Sequence, residues 1–120
     1  INVIVTGGTV RVGEMLLVGP ISEQTIKDFN VDLALIGAGG VDLDAGLTEF
    51  NMQDAQIKKC IIQNCSKSIV LADAEKLGKV TLAKVIPVNK IDILITDSKA
   101  DSSILQQIKE KGVSVLVANK

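Results

Sequence analysis

Residues 31–42 read VDLALIGAGGVD, and this stretch decides the predicted fold class. The run Leu33–Gly37 is apolar almost throughout, as expected for a parallel strand that is covered on both faces. Glycines at positions 37, 39 and 40 follow the run at once. In open parallel sheets, ligands bind in loops at the carboxyl ends of the strands. The stretch therefore predicts a buried strand that ends at a candidate ligand site.

Similar runs recur along the chain and alternate with helical patterns. Strands are predicted at Asn2–Val5, Met15–Val18, Leu33–Gly37, Ser68–Ala72, Ile91–Thr96 and Val113–Val117. Helices are predicted at Ile21–Phe29, at Met52–Cys65 and from Asp101 or Ser102 through Lys111, each bounded by capping residues. The segment Val80–Pro87 fits either a loose strand or a connection. This alternation predicts one domain over residues 1–120, a three-layer α/β fold with a mostly parallel sheet and flanking helices.

The composition excludes several classes of function. Apolar residues make up 47% of the chain, which supports a packed core, and the net charge of −1 argues against bulk attraction to nucleic acid. The chain has no His, so Ser-His-Asp and Cys-His catalysis cannot occur within it. It also has no Trp or Tyr and only two Phe, which disfavours base stacking on single-stranded nucleic acid. We expect no cofactor and no metal site.

The two cysteines indicate a reducing compartment. Cys60 and Cys65 lie five positions apart on a predicted helix, about 140° apart around its axis, so we expect two buried, reduced thiols. No apolar run approaches the ~20 residues of a membrane span, and no signal-peptide pattern opens the chain. A cytoplasmic location without membrane contact is therefore expected. The strand-like run at Ile1, which lacks an initiator Met, indicates a fragment of a longer protein.

Two glycine-rich stretches are candidate anion sites. Gly7-Gly8-Thr9 follows the first predicted strand and fits either a tight turn or a close backbone approach to a ligand. Gly37, Gly39 and Gly40 fit either a plain loop or a backbone cradle that ends in Asp42, whose carboxylate would accept from a ligand hydroxyl. Neither a dinucleotide fingerprint nor a P-loop is present.

Two further segments add charged side chains. Asn51, Asp54 and Lys58 fall on the apolar arc of their predicted helix, as either a capping box with an i,i+4 ion pair or a polar wall of a ligand pocket. Asp73 and Lys76 follow a buried strand directly, as either a solvated turn or a turn that presents an ammonium to a phosphate. The second segment is the strongest local signal.

In this order, these residues resemble the effector-binding domain of DeoR-family transcriptional regulators. The resemblance is carried by Gly7-Gly8-Thr9-Val10-Arg11, Leu17-Val18-Gly19-Pro20, Val31-Asp32, Gly37-Ala38-Gly39-Gly40-Val41-Asp42, Gly46-Leu47-Thr48, Asn51, Asp54, Lys58, Ala72-Asp73, Lys76, Gly78, Ile91-Asp92 and Ile95-Thr96-Asp97-Ser98. The chain departs from the family pattern at Phe50, where Pro is common, and at Glu75, where Ser is usual. The family domain also begins about 40 residues earlier, so its upstream phosphate loops are expected to lie outside this chain.

The resemblance implies a sensor fold similar to ribose-5-phosphate isomerase, in which an Asp-x-x-Lys turn lies at the sugar-phosphate site. It further implies a phosphorylated sugar effector, a separate helix-turn-helix domain that binds operator DNA, and a homo-oligomer. The effector contacts would come from Lys76, Asp73, Asp42, Gly37, Gly39, Gly40, Asp54, Lys58 and Asn51. No catalytic residue is predicted. The alternatives are a sugar-phosphate isomerase-like enzyme on the same scaffold and, less favoured because the chain lacks a basic face, a DNA-binding module.

Overall fold

The computed structural model describes residues 1–119 as a mixed α/β fold. In this part of the chain the strands are β1 Thr9–Arg11, β2 Leu16–Val18, β3 Val31–Gly37, β4 Gly40–Asp42, β5 Gly46–Glu49, β6 Cys65–Leu71, β7 Ala83–Ile86, β8 Ile93–Asp97 and β9 Ser114–Ala118. The helices are α1 Pro20–Lys27, α2 Met52–Gln63 and α3 Ser102–Glu110, and short 3-10 helices lie at Ala74–Lys76 and Val88–Lys90. Within residues 1–119, no helix is both long and apolar enough to cross a membrane.

A four-stranded parallel sheet organises the molecule, in the order β3-β6-β8-β9. All four of its strands were predicted from apolar runs, and the three helices match the predicted segments to within two residues. Ala34, Ile36, Val70 and Leu94 alternate along the strands and belong to the buried core on one face of the sheet. Leu105 and Ile108 of α3 and Ala55 of α2 belong to the same core. The predicted α/β architecture, a parallel sheet flanked by helices, is confirmed.

A second sheet has three strands in the order β4-β5-β7, and both of its pairings are antiparallel. The ambiguous segment Val80–Pro87 contributes β7 to this sheet. Strands β1, β4 and β5 are not predicted from the sequence, because each has only three or four residues and is too short to show a period-2 pattern. The β1 and β2 strands pair as an antiparallel hairpin.

The predicted strand Asn2–Val5 is wrong, because these residues form no strand in the structure. Val3 and Val5 remain 81% and 72% exposed, so their β-branched side chains have no pleated surface against which to pack. A β propensity stabilises a strand only when neighbouring strands provide that surface. The prediction was based on the local pattern alone, which does not show whether a neighbouring strand can pair with these residues.

Both cysteines are free thiols, as expected. Cys60 is buried, whereas Cys65 is only partly buried, which differs from the expectation that both lie in the core. Burial is the main cause that raises the pKa of each thiol above its ordinary value. Each therefore favours the protonated, weakly nucleophilic form at neutral pH.

Candidate functional site

The carboxyl ends of the parallel strands meet at one edge of the main sheet. Gly37 at the end of β3 lies opposite Leu71 of β6, and Leu71 lies opposite Ile95 of β8. The segment Ala72–Lys76 follows β6 directly and includes a 3-10 helix. Parallel packing therefore brings Gly37 and the predicted anion-binding turn to the same edge.

Asp97, at the end of β8, holds this turn in place. Its Oδ2 accepts from the backbone N–H of Ala74 at 2.9 Å, and its Oδ1 accepts from the N–H of Lys99 at 2.8 Å. These two hydrogen bonds lower the pKa of Asp97 below its ordinary value, and the bond from Ala74 has the larger effect. The predicted site residues do not include Asp97, although it ends an apolar strand and could have been singled out by that position.

Lys76 projects from the turn towards an exposed aromatic ring. Its ammonium lies 5.7 Å from the centroid of the Phe50 ring, and the ammonium of Lys79 lies 5.3 Å from the same centroid. Phe50 is 54% exposed and Lys79 is exposed, whereas Lys76 is partly buried. Within the described residues, the ion pairs involve neither of these lysines. Asp73 is exposed, and its side chain does not cap the 3-10 helix.

Lys58 forms a buried ion pair at the same edge. Its ammonium donates to Glu49 Oε2 at 2.7 Å and to the carbonyl oxygen of Gly37 at 2.9 Å. The side chains of Lys58 and Glu49 are only 15% and 8% exposed. The inward direction of Lys58 agrees with the sequence prediction. The sequence also allowed an i,i+4 ion pair between Lys58 and Asp54, but in the structure Lys58 pairs with Glu49 instead. Glu49 was missed because it lies on β5, which shows no recognisable strand pattern.

Asp54 is buried at the first turn of α2. Asn51 caps the helix as predicted, since its Oδ1 accepts from the N–H of Asp54 at 2.8 Å. Arg11 of β1 places its Nε 3.3 Å from Asp54 Oδ1. This contact is an ion pair without hydrogen-bond geometry, and Oδ1 has no hydrogen-bond donor within residues 1–119. The hairpin β1–β2 is thus joined electrostatically to the start of α2.

The glycine cradle predicted after β3 is divided between two elements. Gly37 ends β3, and a Cβ at this position would meet no atom within 4 Å. Gly40 begins β4, where a Cβ would collide with the backbone carbonyl of Lys79, and a Cβ at Gly39 would lie 2.7 Å from Glu49 Oε1. Only Gly37 of the three therefore borders open space, and the other two allow close packing within the protein.

Asp42 and the Gly7-Gly8 pair make contacts within the protein. Asp42 Oδ2 accepts from the N–H groups of Asp44 at 3.0 Å and Ala45 at 2.9 Å, so it orders the turn between β4 and β5. Gly7 precedes β1 and accepts a hydrogen bond from Ser22 of α1 through its carbonyl oxygen. Gly8 has a φ of 112°, and a Cβ there would collide with the Ser22 hydroxyl. Of the tight-turn and ligand-approach interpretations, this packing favours the first.

Comparison with known proteins agrees with the order of these elements. A family model described as the DeoR C terminal sensor domain matches residues 1–98. The HTH-type transcriptional regulator GolR of Listeria innocua is 30% identical over 118 residues, which cover 98% of this chain and 46% of that protein. The HTH-type transcriptional regulator GlpR of Haloferax volcanii is 33% identical over 111 residues, which cover 92% of this chain and 44% of that protein.

A third relative carries a more specific name. The glycerol-3-phosphate regulon repressor of Escherichia coli K12 is 24% identical over 114 residues, which cover 95% of this chain and 45% of the repressor. The chain therefore spans less than half the length of the curated relatives that it matches. Because the family model covers most of its residues, the chain belongs to the DeoR C-terminal sensor domain family.

Proposed function

We propose that this chain is the effector-sensing domain of a sugar-metabolism transcriptional repressor and that its effector is a phosphorylated sugar. The effector would change the affinity of a helix-turn-helix domain outside residues 1–120 for operator DNA. The effector would bind two conformations of the repressor with different affinities, and this difference would couple effector binding to DNA binding. The names of the relatives support the regulatory part of the proposal, since they are transcriptional regulators and repressors.

Lys76 is the observation on which the proposed phosphate contact rests. The ammonium stands on a turn at the carboxyl edge of the sheet, and Asp97 anchors that turn through Ala74. The ion pairs of the described residues do not involve this ammonium, so it is available to contact an anion. A lysine ammonium is a suitable point charge for phosphate. Lys79, which shares the Phe50 ring, is a second cation within reach of the same region.

The remaining predicted site residues would shape the pocket. Gly37 offers open space at the end of β3, and Asp73 offers an exposed carboxylate for a sugar hydroxyl. The wall of the pocket behind Gly37 and Asp73 would be organised by the ion pairs of Lys58 and Asp54 and by the helix cap of Asn51. We expect Gly39, Gly40 and Asp42 to act indirectly, because they fix the geometry of the backbone between β3 and β5.

A sugar-phosphate isomerase-like enzyme is the alternative on this scaffold. Such an enzyme needs a carboxylate that can accept and return a proton. Glu49 is paired with Lys58, and Asp54 is paired with Arg11. Both buried carboxylates are thus paired with a neighbouring cation, an arrangement that suits a binding wall better than proton transfer.

The test measures ligand-dependent stability and operator binding of the complete encoded polypeptide. Ribose 5-phosphate, glucose 6-phosphate and glycerol 3-phosphate would each be compared with the unphosphorylated parent compound in a thermal-unfolding screen. A true effector at ~100 times its Kd should stabilise the protein by about 2.7 kcal/mol and alter operator binding. Lys76→Ala should abolish both responses, whereas the control Lys84→Ala, at an exposed lysine on β7, should retain them.

Two results would contradict the proposal. Equal stabilisation by the unphosphorylated parent compounds would remove the phosphate contact, and an unchanged response in Lys76→Ala would assign Lys76 to the solvated surface. Conversion of a sugar phosphate by the purified protein would instead favour the enzyme. The homo-oligomer implied by the family resemblance would be measured on the same sample by light scattering.

A further inference from the structure

Phe50 lies where the second sheet reaches the carboxyl edge of the main sheet. It follows Glu49, the last residue of β5, which the Lys58 ammonium joins to the carbonyl oxygen of Gly37 at the end of β3. The Phe50 side chain does not belong to the hydrophobic core of the described residues. Core packing therefore does not account for this aromatic ring, which stands where Pro is common in the family.

Two ammonium groups share this ring. Those of Lys76 and Lys79 lie over it at 5.7 Å and 5.3 Å from the centroid, within the range in which the ring quadrupole attracts a cation. The two like charges are therefore separated by no more than the sum of these distances, and they repel each other. The negative face of the ring offsets part of that repulsion, so the ring holds two cations together before any anion binds.

The backbone that carries both lysines is held by hydrogen bonds. The N–H of Lys76 donates to the carbonyl oxygen of Asp73 at 3.0 Å, and the N–H of Lys79 donates to the carbonyl oxygen of Lys76 at 3.3 Å. Between the two lysines, the N–H of Gly78 donates to the carbonyl oxygen of Val41 on β4 at 2.7 Å. Both side chains therefore start from fixed backbone positions, and only their long apolar stems can vary.

The ring restrains those stems at the places where an anion would need the ammonium groups. Fixing a lysine side chain on a ligand costs rotamer entropy, and a group that is already positioned loses less of it on binding. The ion pairs of the described residues involve neither Lys76 nor Lys79. Two adjacent cations without a carboxylate partner favour an anion of more than one charge, and a phosphate group carries close to two charges at neutral pH.

We propose that Phe50 is a positioning residue that gathers the ammonium groups of Lys76 and Lys79 into one binding site for a phosphate dianion. Lys79 then contacts the phosphate directly, together with Lys76, and Phe50 acts through the two lysines. The assignment of this phosphate to a sugar rests on the proposed function, whereas the two-cation site itself does not. Val80 and Leu82 are 59% and 78% exposed nearby in the sequence, so a contact between two copies of the chain is the competing role for Phe50.

The first test observes the ring itself in the complete encoded polypeptide. The protein is labelled with 4-fluorophenylalanine, and the fluorine signal of Phe50 is assigned by its absence in Phe50→Leu. Inorganic phosphate is then added at constant ionic strength, at a pH at which it is a dianion. The Phe50 signal should shift and saturate, because the ammonium groups over the ring turn towards the phosphate. The signal of Phe29, a half-exposed residue after α1, is the internal control and should not move. Lys76→Ala and Lys79→Ala should each weaken the apparent affinity about tenfold.

The second test separates positioning from a structural role of the ring. Phe50→Leu keeps an apolar side chain but removes the quadrupole, so the affinity for inorganic phosphate, measured from the rise in Tm with phosphate concentration, should fall about threefold. Phe50→Trp should retain the affinity, since an indole ring binds cations at least as well. A merely structural role would lower Tm without phosphate and leave the affinity for phosphate unchanged. Phe29→Leu is the matched control and should not change this affinity.

The proposal would be overturned by a Phe50 signal that does not respond to phosphate, or by a Lys79→Ala variant that binds phosphate as the unchanged protein does. An unchanged phosphate affinity in Phe50→Leu would overturn it too, and a dimer that becomes a monomer on this substitution would assign the ring to a contact between copies. If Phe50→Leu fails to fold, the fluorine shifts of the two lysine variants decide. The proposed function fails separately, if operator binding ignores every sugar phosphate while the Phe50 signal still responds to phosphate.

Discussion

Replacing Lys58 by Met should destabilise the domain strongly, because it leaves Glu49 as an unpaired charge in the core. The Lys58 ammonium lies 2.7 Å from Glu49 Oε2, and the two side chains are only 15% and 8% exposed. Removal of one partner from a buried pair typically costs 3–5 kcal/mol, or about 4 kcal/mol here. A domain of this size has a free energy of unfolding of roughly 6–18 kcal/mol, so the loss would be a large fraction of it.

The assay is urea unfolding followed by far-UV circular dichroism, because the chain has no Trp or Tyr to report by fluorescence. The double variant Lys58→Met/Glu49→Gln should recover at least 1.5 kcal/mol relative to Lys58→Met, since it no longer buries an unpaired carboxylate. Lys84→Met, at an exposed lysine, is the matched control and should change the free energy of unfolding by less than about 0.5 kcal/mol. A loss below about 1 kcal/mol in Lys58→Met, or no recovery in the double variant, would refute the buried ion pair.

Two further predictions concern the turn and the glycines. The pKa of Asp97 is lowered from its ordinary value of 3.8, chiefly by the N–H of Ala74, so its contribution to stability is present above pH 3.8 and is lost as the pH falls through the lower, folded-state pKa. Asp97→Asn should therefore flatten the acid limb of the stability profile measured by urea unfolding between pH 2 and 6, and an unchanged limb would contradict the assignment. Gly40→Ala should destabilise the protein by about 1–3 kcal/mol, because its Cβ would collide with the Lys79 carbonyl, whereas Gly37→Ala, whose Cβ meets open space, should be tolerated. Thermal unfolding of the two variants side by side measures the difference, and equal losses would disprove the packing argument.

The sequence alone predicts the main sheet and the helices well. Leu33–Gly37 and the other long apolar runs become parallel strands, as predicted. The expected cover on both faces is found within the described residues only on the side of Ala34 and Ile36, since Leu33 and Leu35 are 48% and 66% exposed. Asn51 caps α2 as predicted, because N-capping depends only on residues three positions apart. Asp73 and Lys76 reach the carboxyl edge of the sheet for the same local reason, as they follow a strand directly.

Predictions that needed a distant partner were less accurate. Asn2–Val5 has the composition of a strand but forms none within the described residues, because no neighbouring strand pairs with it. The short strands β4 and β5 have no pattern of their own, so Glu49 could not be recognised as the partner of Lys58. The glycines at 39 and 40 resemble a ligand cradle, but their close neighbours are Glu49 and Lys79 of the same chain.

The sequence by itself therefore determined the fold class, the helix caps and the location of a candidate anion-binding turn. These features depend on periodicity and on contacts between residues a few positions apart. Only the tertiary structure decided which ion pairs form, which glycines border open space and which face of the sheet remains exposed. Those properties depend on residues such as Arg11, Glu49 and Asp97, which lie far from their partners in sequence.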